Sequence, residues 1–282
     1  MKTILLGTGT PLIDPYRKGA SLVVLVDDEP LLFDCGYGAT LRLVESGINP
    51  MRINHLFITH RHYDHTCDFP YLMLSLWTAG RRNPLTKVYG PTGTQELVKS
   101  FLDHPSTLIR SDKTEMEIAV KETNGGSVEG GDGWNVTSAV VDHIPGEVCL
   151  AYRIESQGKS VVFSGDTAYC DSMVDIARGA DLLVQECTFP DEEIVKRREL
   201  GMFWRHTGPN DVARIAREAG VQRIVLTHLG PYASSSVARE VSSLHVPQDQ
   251  GEEVLERMLQ EVKANFQGEV TLGKDLMTLT VP

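Results

Sequence analysis

Apolar and β-branched residues fall into short runs along this chain, and the runs alternate with segments of helical spacing. Runs at 2–6, 21–26, 31–34, 53–59, 87–89, 117–123, 134–142, 149–155, 160–164, 181–186, 223–227 and 270–281 predict strands. Helices are predicted between them, over 39–46, 69–79, 93–103, 171–178, 191–200, 210–219 and 249–263. Asn210 to Ala219 shows the helical period and ends at Gly220, a common stop signal. The glycine-rich stretch 124–133 lies between strand-like runs and reads as a long hairpin loop. No internal repeat, low-complexity tract or linker cuts the chain, so residues 1–282 are expected to form a single mixed α/β domain.

The ends of the strands carry the chemistry. Phe57-Ile58-Thr59 runs into His60, Val140-Val141-Asp142 into His143, Val162-Phe163-Ser164-Gly165 into Asp166, and Val225-Leu226-Thr227 into His228. Strand ends are where α/β folds build their sites. One such ending means little; four point to a shared site.

Composition narrows the partners. The 41% hydrophobic and 23% charged fractions are ordinary for a globular enzyme. No apolar run approaches the ~20 residues of a membrane span, and the N-terminus shows no signal-peptide pattern, so a cytoplasmic protein is expected. Five cysteines, Cys35, Cys67, Cys149, Cys170 and Cys187, lack the paired spacing of a disulfide framework or a thiolate zinc site. Net charge is −11, where a protein gripping long nucleic acid usually shows a basic stripe. A small substrate is therefore expected, nucleic acid is disfavoured, and a homodimer is compatible with the sequence.

The densest signal is His60-Arg61-His62-Tyr63-Asp64-His65, directly after a strand. In an extended stretch residues two apart point the same way, so His60 and His62 can grip one ion together. A turn after them lets Asp64 and His65 face a second. This His-x-His-x-Asp-His cluster is followed by His143, by Gly165-Asp166-Thr167 and by Thr227-His228. In that order, from Gly7-Thr8-Gly9 to about Pro231, the chain resembles the metallo-β-lactamase superfamily.

The resemblance implies a four-layer αββα sandwich. It implies one metal on His60, His62 and His143, a second on Asp64, His65 and His228, and Asp166 bridging them. Zinc is the first expectation for the two divalent ions, with manganese or iron also suited to these donors. Two ions ~3.5–4 Å apart can share a hydroxide and polarise the bond under attack, so the expected reaction is ester hydrolysis.

Several branches are set aside on the same residues. True β-lactamases of the superfamily lack the aspartate that stands here as Asp166. Flavodiiron proteins lack one histidine of the first motif, and glyoxalase II adds a helical C-terminal domain for which little chain remains after His228. Phe203-Trp204-Arg205-His206-Thr207-Gly208 resembles the His-x-Thr segment of ribonuclease Z and related phosphodiesterases. His206 is thus a candidate acid that helps the leaving group, alongside Asp64 as the other candidate catalytic residue; the imidazole could instead cap the following helix.

Gly7-Thr8-Gly9-Thr10-Pro11, Pro15-x-Arg17-x-Gly19 and Leu32-Phe33-Asp34-Cys35-Gly36 look more like arylsulfatase-like and small phosphodiesterase members. Ribonuclease Z carries a long basic arm, and only a β-hairpin fits between His143 and Asp166. The leading expectation is a dinuclear hydrolase of small phosphate or sulfate esters. A tRNA 3′ endonuclease of ribonuclease Z type, a lactonase and a non-catalytic metal-binding regulator are the alternatives. Trp77, Tyr152, Trp204 and Tyr232 are candidates to line an aromatic pocket, with core packing the plainer role for each.

Overall fold

The computed structural model describes residues 1–80, 87–104, 118–202, 204–230 and 251–281. The elements run β1 (Lys2–Gly7), β2 (Ser21–Val26), β3 (Glu29–Phe33), α1 (Ala39–Glu45), a short 3-10 turn (Pro50–Arg52), β4 (His55–Phe57), α2 (Tyr63–Thr66) and α3 (Phe69–Thr78). Then come β5 (Lys87–Gly90), α4 (Thr94–Leu102), β6 (Ala119–Glu122), β7 (Gly126–Gly131), β8 (Trp134–Val141), β9 (Cys149–Ser156) and β10 (Lys159–Phe163). The rest is α5 (Asp171–Ala177), β11 (Leu182–Glu186), α6 (Asp191–Glu199), α7 (Pro209–Ala219), β12 (Arg223–Thr227), α8 (Glu252–Asn265), β13 (Glu269–Leu272) and β14 (Thr278–Thr280).

The strands form two sheets, ordered β14-β1-β2-β3-β4-β5-β6 and β13-β12-β11-β10-β9-β8-β7. Each has an antiparallel part, β14-β1-β2-β3 and β7-β8-β9-β10, and a parallel part, the change falling at β3 in the first sheet and at β10 in the second. Strand alternation explains the layering. In β2, Leu22 and Val24 point into a core shared with Tyr152, Ile154 and Val184 of the second sheet. Val23 faces the other way, among Leu43, Leu72 and Met73 of the helices α1 and α3. The second sheet does the same against Met173 of α5, Val212 of α7 and Met258 of α8. Both sheets are thus covered on both faces, which is why their strands read as nearly continuous apolar runs. The four-layer αββα arrangement is present.

Three sequence expectations are corrected here. The run 270–281 is two strands in different sheets, because Gly273 to Met277 turns the chain across, with Leu276 in the left-handed region (φ 63°). The 124–133 segment contains strand β7; backbone pairing needs no side chains, and Val128 supplies the buried contact. Asp64 and His65 sit on the one-turn helix α2 and not on a simple turn. The helix expected over 249–263 begins within the structure at Glu252, and residues 249–250 lie outside the described residues.

The turn after β13 also reaches the loop after β1. Asp275 accepts hydrogen bonds from the backbone N–H and hydroxyl of Thr8 and from the N–H of Lys18. Buried Arg17 donates to the Thr8 hydroxyl and to the Gly273 carbonyl. Pro15 to Gly19, read in the sequence as a family marker, therefore clamps the loop from Gly7 to Pro11.

Candidate metal centre

β4 and the residues beyond it bring His60 into the interior at the strand's end, 1% exposed. His62 has extended backbone (φ −61°, ψ 146°) and starts α2, which swings Asp64 and His65 to a neighbouring position. The second sheet delivers its residues singly: His143 beyond β8, Asp166 beyond β10 and His228 beyond β12.

All seven residues converge. The nitrogen His62 Nδ1 lies 3.0 Å from His60 Nε2 and 3.3 Å from His143 Nε2. Asp64 Oδ2 is 3.2 Å from His228 Nε2 and 3.5 Å from His65 Nε2. Donor atoms of His60, His62, His143 and Asp166 lie within 4.8 Å of one another, as do those of Asp64, His65 and His228. Asp166 stands between the groups. Its Oδ2 is 3.7 Å from His143 Nε2 and 3.4 Å from His228 Nε2, while Oδ1 is 3.4 Å from His65 Nε2.

A second layer sets which ring nitrogen faces inward. Thr59 gives its hydroxyl proton to Asp34, so it accepts from His60 Nδ1 at 3.0 Å. Thr188 gives its proton to Glu186 and accepts from His228 Nδ1 at 2.8 Å. His143 Nδ1 donates to the Arg205 carbonyl at 2.8 Å, and His65 Nδ1 meets Asp34 Oδ2 at 2.7 Å. Each of these four rings thus turns Nε2 to the centre, the arrangement that orients metal-bound histidines.

Asp34 and His228 both hold left-handed backbone, at φ 55° and 52°, a strain of about 1–3 kcal/mol each that the surrounding contacts maintain. Glycine is required at Gly165 (φ 58°), where a Cβ would meet the Leu150 carbonyl oxygen at 2.8 Å. Gly36 has the same need for space, with the Asp64 carbonyl oxygen 2.1 Å from a notional Cβ.

The electrostatics suit a cation. Burial pushes His60 well below the usual histidine range, lowers His62, and takes His143 to about 4. Those rings are neutral lone-pair donors near pH 7, as ligands must be. Burial opposes charge on His65, yet the carboxylates of Asp166, Asp64 and Asp34 hold it well above the ordinary value. Burial likewise opposes charge on Asp166, but the rings of His228, His65 and His60 keep it well below its own. His65 Nε2 and Asp166 Oδ1 are both buried without a hydrogen-bond partner. Buried polar atoms are rarely left so, and a divalent cation between imidazole nitrogen and carboxylate oxygen satisfies both.

His206 does not cap α7. Gly208 is the N-cap residue of that helix, and the N–H of Asn210 goes to the Asp191 carboxylate. The backbone of Arg205 pairs with His143 in both directions, which turns His206 inward. Its Nδ1 lies 3.0 Å from Glu186 Oε1, and its ring centroid lies 4.8 Å from that of His143. Burial works against a charged His206 ring, but Glu186 facing it and hydrogen-bonding it outweighs this and raises its pKa. One donor atom of His206 also falls within 4.8 Å of donors on Asp166 and His228.

Glu186 and Asp34 are the residues sequence reasoning left without a role. The available signal for Glu186 was an acid closing the apolar run Leu182-Leu183-Val184. Of the four candidate pocket aromatics, Trp204 alone is placed here, with its ring edge-on to His62 at 5.8 Å. Tyr152 is core and donates to the Ile58 carbonyl, Trp77 packs in the helix layer, and Tyr232 lies outside the described residues. The five cysteines are free, as expected.

Comparison with known proteins gives three results. The sequence profile of the Beta-lactamase superfamily domain matches residues 30–229. The chain is 33% identical over 247 residues to "Ribonuclease Z" of Mycobacterium bovis, covering 82% of this chain and 86% of that one. Among solved structures it is similar to the metallo-β-lactamase fold protein YhfI from Bacillus subtilis (TM-score 0.77, 22% identity, 99% and 98% coverage). It is also similar to the short form of human tRNase Z (TM-score 0.72, 22% identity, full coverage of both chains). No helix among the described residues is long and apolar enough to cross a membrane.

Proposed function

From the premise that the chain belongs to the metallo-β-lactamase superfamily and is a metal-dependent hydrolase, we propose that it is a dinuclear phosphodiesterase that cuts RNA in the manner of ribonuclease Z. The observation that supports this most is the His206–Glu186 pair, set beside seven candidate ligands in a chain one third identical to a ribonuclease Z. This reverses the expectation that nucleic acid is disfavoured. Net charge is a sum over the whole surface, whereas a substrate meets a local field. Arg61, Arg197, Arg198 and Arg205 line the cavities around this centre, each beside a carboxylate (Glu147, Glu193, Asp211 and Asp142) that a substrate phosphate would compete with. The sulfate-ester half of the earlier expectation has no support among these relatives and is dropped.

In this reading His60, His62, His143 and Asp166 hold one cation, and Asp64, His65, His228 and Asp166 the other. Zinc fits the donor set best. When bound, such a pair lowers the pKa of a water and polarises the phosphoryl oxygens. His206 then carries the proton that the departing oxygen needs, and Glu186 keeps that proton in place until transfer. Asp34 and Thr188 hold the His65 and His228 rings in the orientation this demands.

A second reading, a phosphodiesterase of small molecules, is favoured by one feature. Only the turn Gln157-Gly158 joins β9 to β10, so no tRNA-gripping arm lies between His143 and Asp166. Zinc-reconstituted protein should be assayed on a 3′-extended tRNA precursor and on bis(p-nitrophenyl) phosphate. Specific cleavage of the precursor supports the first reading. Turnover of the small diester with an untouched precursor replaces it with the second.

A further inference from the structure

Beside the candidate metal centre is a cavity of about 200 Å³ lined mainly by apolar groups. Thr10, Pro11 and Leu12 contribute from the loop after β1, and Phe189, Met202 and Trp204 from the chain leading to His206. His206 and His228 also line it, so it opens directly onto the site of chemistry. We infer that this cavity is a nucleobase subsite, and that it receives the base next to the scissile phosphate, on the leaving-group side; the inference rests on the phosphodiesterase reading above.

The side follows from His206. The group that donates to the departing oxygen borders the cavity, so whatever is attached to that oxygen is the part within reach of it. The type of occupant follows from the lining. Arg197, its one arginine or lysine, lies 3.9 Å over the Phe189 ring, and its Nε is 3.1 Å from Glu193 Oε1. A second phosphate or a sugar's hydroxyls would find few donors there. A flat heterocycle would find the indole of Trp204, the thioether of Met202 and the proline ring of Pro11, surfaces that suit aromatic faces. The size is also that of one ring system. At ~30 Å³ per water, the cavity equals roughly seven waters, too little for a run of nucleotides.

A second cavity makes the case specific to a nucleotide. About 380 Å³ in volume, it shares Phe189, Met202, Trp204 and His206 with the first. Its other lining includes Arg197, Arg198 and Arg205, together with Asp142, which accepts from Arg205 at 2.7 Å, so the cations outnumber the acid in the lining. A stacking surface set next to a basic cleft is how proteins hold single-stranded nucleic acid, the base on the aromatic and the phosphates among the cations. Trp204 belongs to both cavities and its ring also meets His62, so it links the base, the backbone and the metal centre. Trp204 is 51% exposed, so its ring is open to a group entering from solvent.

The test compares adenosine 3′-monophosphate with ribose 3-phosphate, which carries the same phosphate and sugar without the base. Binding to zinc-loaded protein is measured by calorimetry for the wild type, Trp204→Ala and Trp204→Phe. The nucleotide should bind the wild type about tenfold or more tightly than the sugar phosphate. Trp204→Ala should bring that ratio to about one, whatever it does to the binding of both compounds, and Trp204→Phe should keep most of it. Equal binding of the two compounds by the wild type overturns the subsite. So does a ratio that survives Trp204→Ala. Because neither measurement needs RNA cleavage, the two readings fail separately. Base selectivity without precursor cleavage removes the RNA assignment and leaves the subsite standing; cleavage without base selectivity does the reverse.

Discussion

The two sheets carry matching patterns of strand pairing but deliver their functional residues differently. In the first, one loop beyond β4 supplies His60, His62, Asp64 and His65. In the second, His143, Asp166 and His228 each come from the end of a different strand. The contrast is sharpest at equivalent places. β3 and β10 both mark the change from antiparallel to parallel pairing, and each is followed by a buried aspartate. Asp34, directly after β3, stops short of the centre and holds the His65 ring from behind. Asp166 follows β10 after Ser164 and Gly165, and that extra length brings its carboxylate in among both groups of candidate ligands. Equivalent positions thus yield a supporting carboxylate in one sheet and a central one in the other, and the length of the loop decides which.

The largest expected effect breaks that comparison outright. Asp166→Ala should empty both metal positions and reduce activity by more than the ~10–100-fold typical of a change behind the ligands. Elemental analysis should fall from about two ions per chain. Retention of one full ion would make Asp166 an ordinary ligand of a single position, and the contrast with Asp34 would shrink.

His206→Ala should follow, with a loss of ~10²–10³ in kcat and unchanged metal content. The loss should grow with the pKa of the leaving group, because a poor leaving group depends most on a proton donor. Metal lost together with a uniform drop in rate would instead assign His206 to the ligands, as its nearness to Asp166 and His228 permits.

Asp34→Asn comes third. Asparagine tolerates the left-handed backbone at this position, so the fold should survive while the charge behind His65 goes. Metal affinity should drop ~10–100-fold at the position that uses His65 and by less at the other, where Asp34 acts on His60 through the Thr59 hydroxyl. An equal loss at both would mean that Asp34 supports the whole centre.

The smallest effect lies at the start of α7. Burial raises Asp191 to about 6, against 3.8 for an ordinary aspartate, with the Asn210 N–H pulling the other way. A raised folded pKa means that the folded state prefers the protonated acid. That contribution to stability is fully present below pH 3.8 and is lost as pH rises through 6. Asp191→Asn should therefore gain Tm relative to the wild type between pH 4 and pH 7, and thermal melts at the two pH values would show it. A constant difference would leave Asp191 without a special role in seating the loop that carries His206.

What the sequence disclosed follows the same division. The local cluster His60 to His65 is readable because its spacing alone implies a function. His143, Asp166 and His228 are unremarkable singly and were readable only through their shared position at strand ends. Glu186 closes a strand in just that way, but a single acid after leucines and valine has no partner nearby in the chain. Its partner, His206, lies across α6 and the segment that follows, a contact only the fold creates. Among the elements, the β7 edge and the split of 270–281 escaped for a related reason. Both depend on backbone pairing and on a turn, where side-chain pattern says little.

The partnerless His65 Nε2 and Asp166 Oδ1 have a consequence for how much of this protein a cell can keep. They lie in one buried spot with Asp34, Asp64 and Glu186, acids whose charge the rings of His65 and His206 offset in part when no cation is bound. A ligand present at 100 times its Kd adds about 2.7 kcal/mol to the folded state, a large share of the 5–15 kcal/mol typical of a whole protein. Metal supply is therefore expected to govern turnover as well as rate. In cells starved of the divalent metal, proteolysis should remove the chain, and scarcity would register as a falling amount of protein before any measurement of its activity was made.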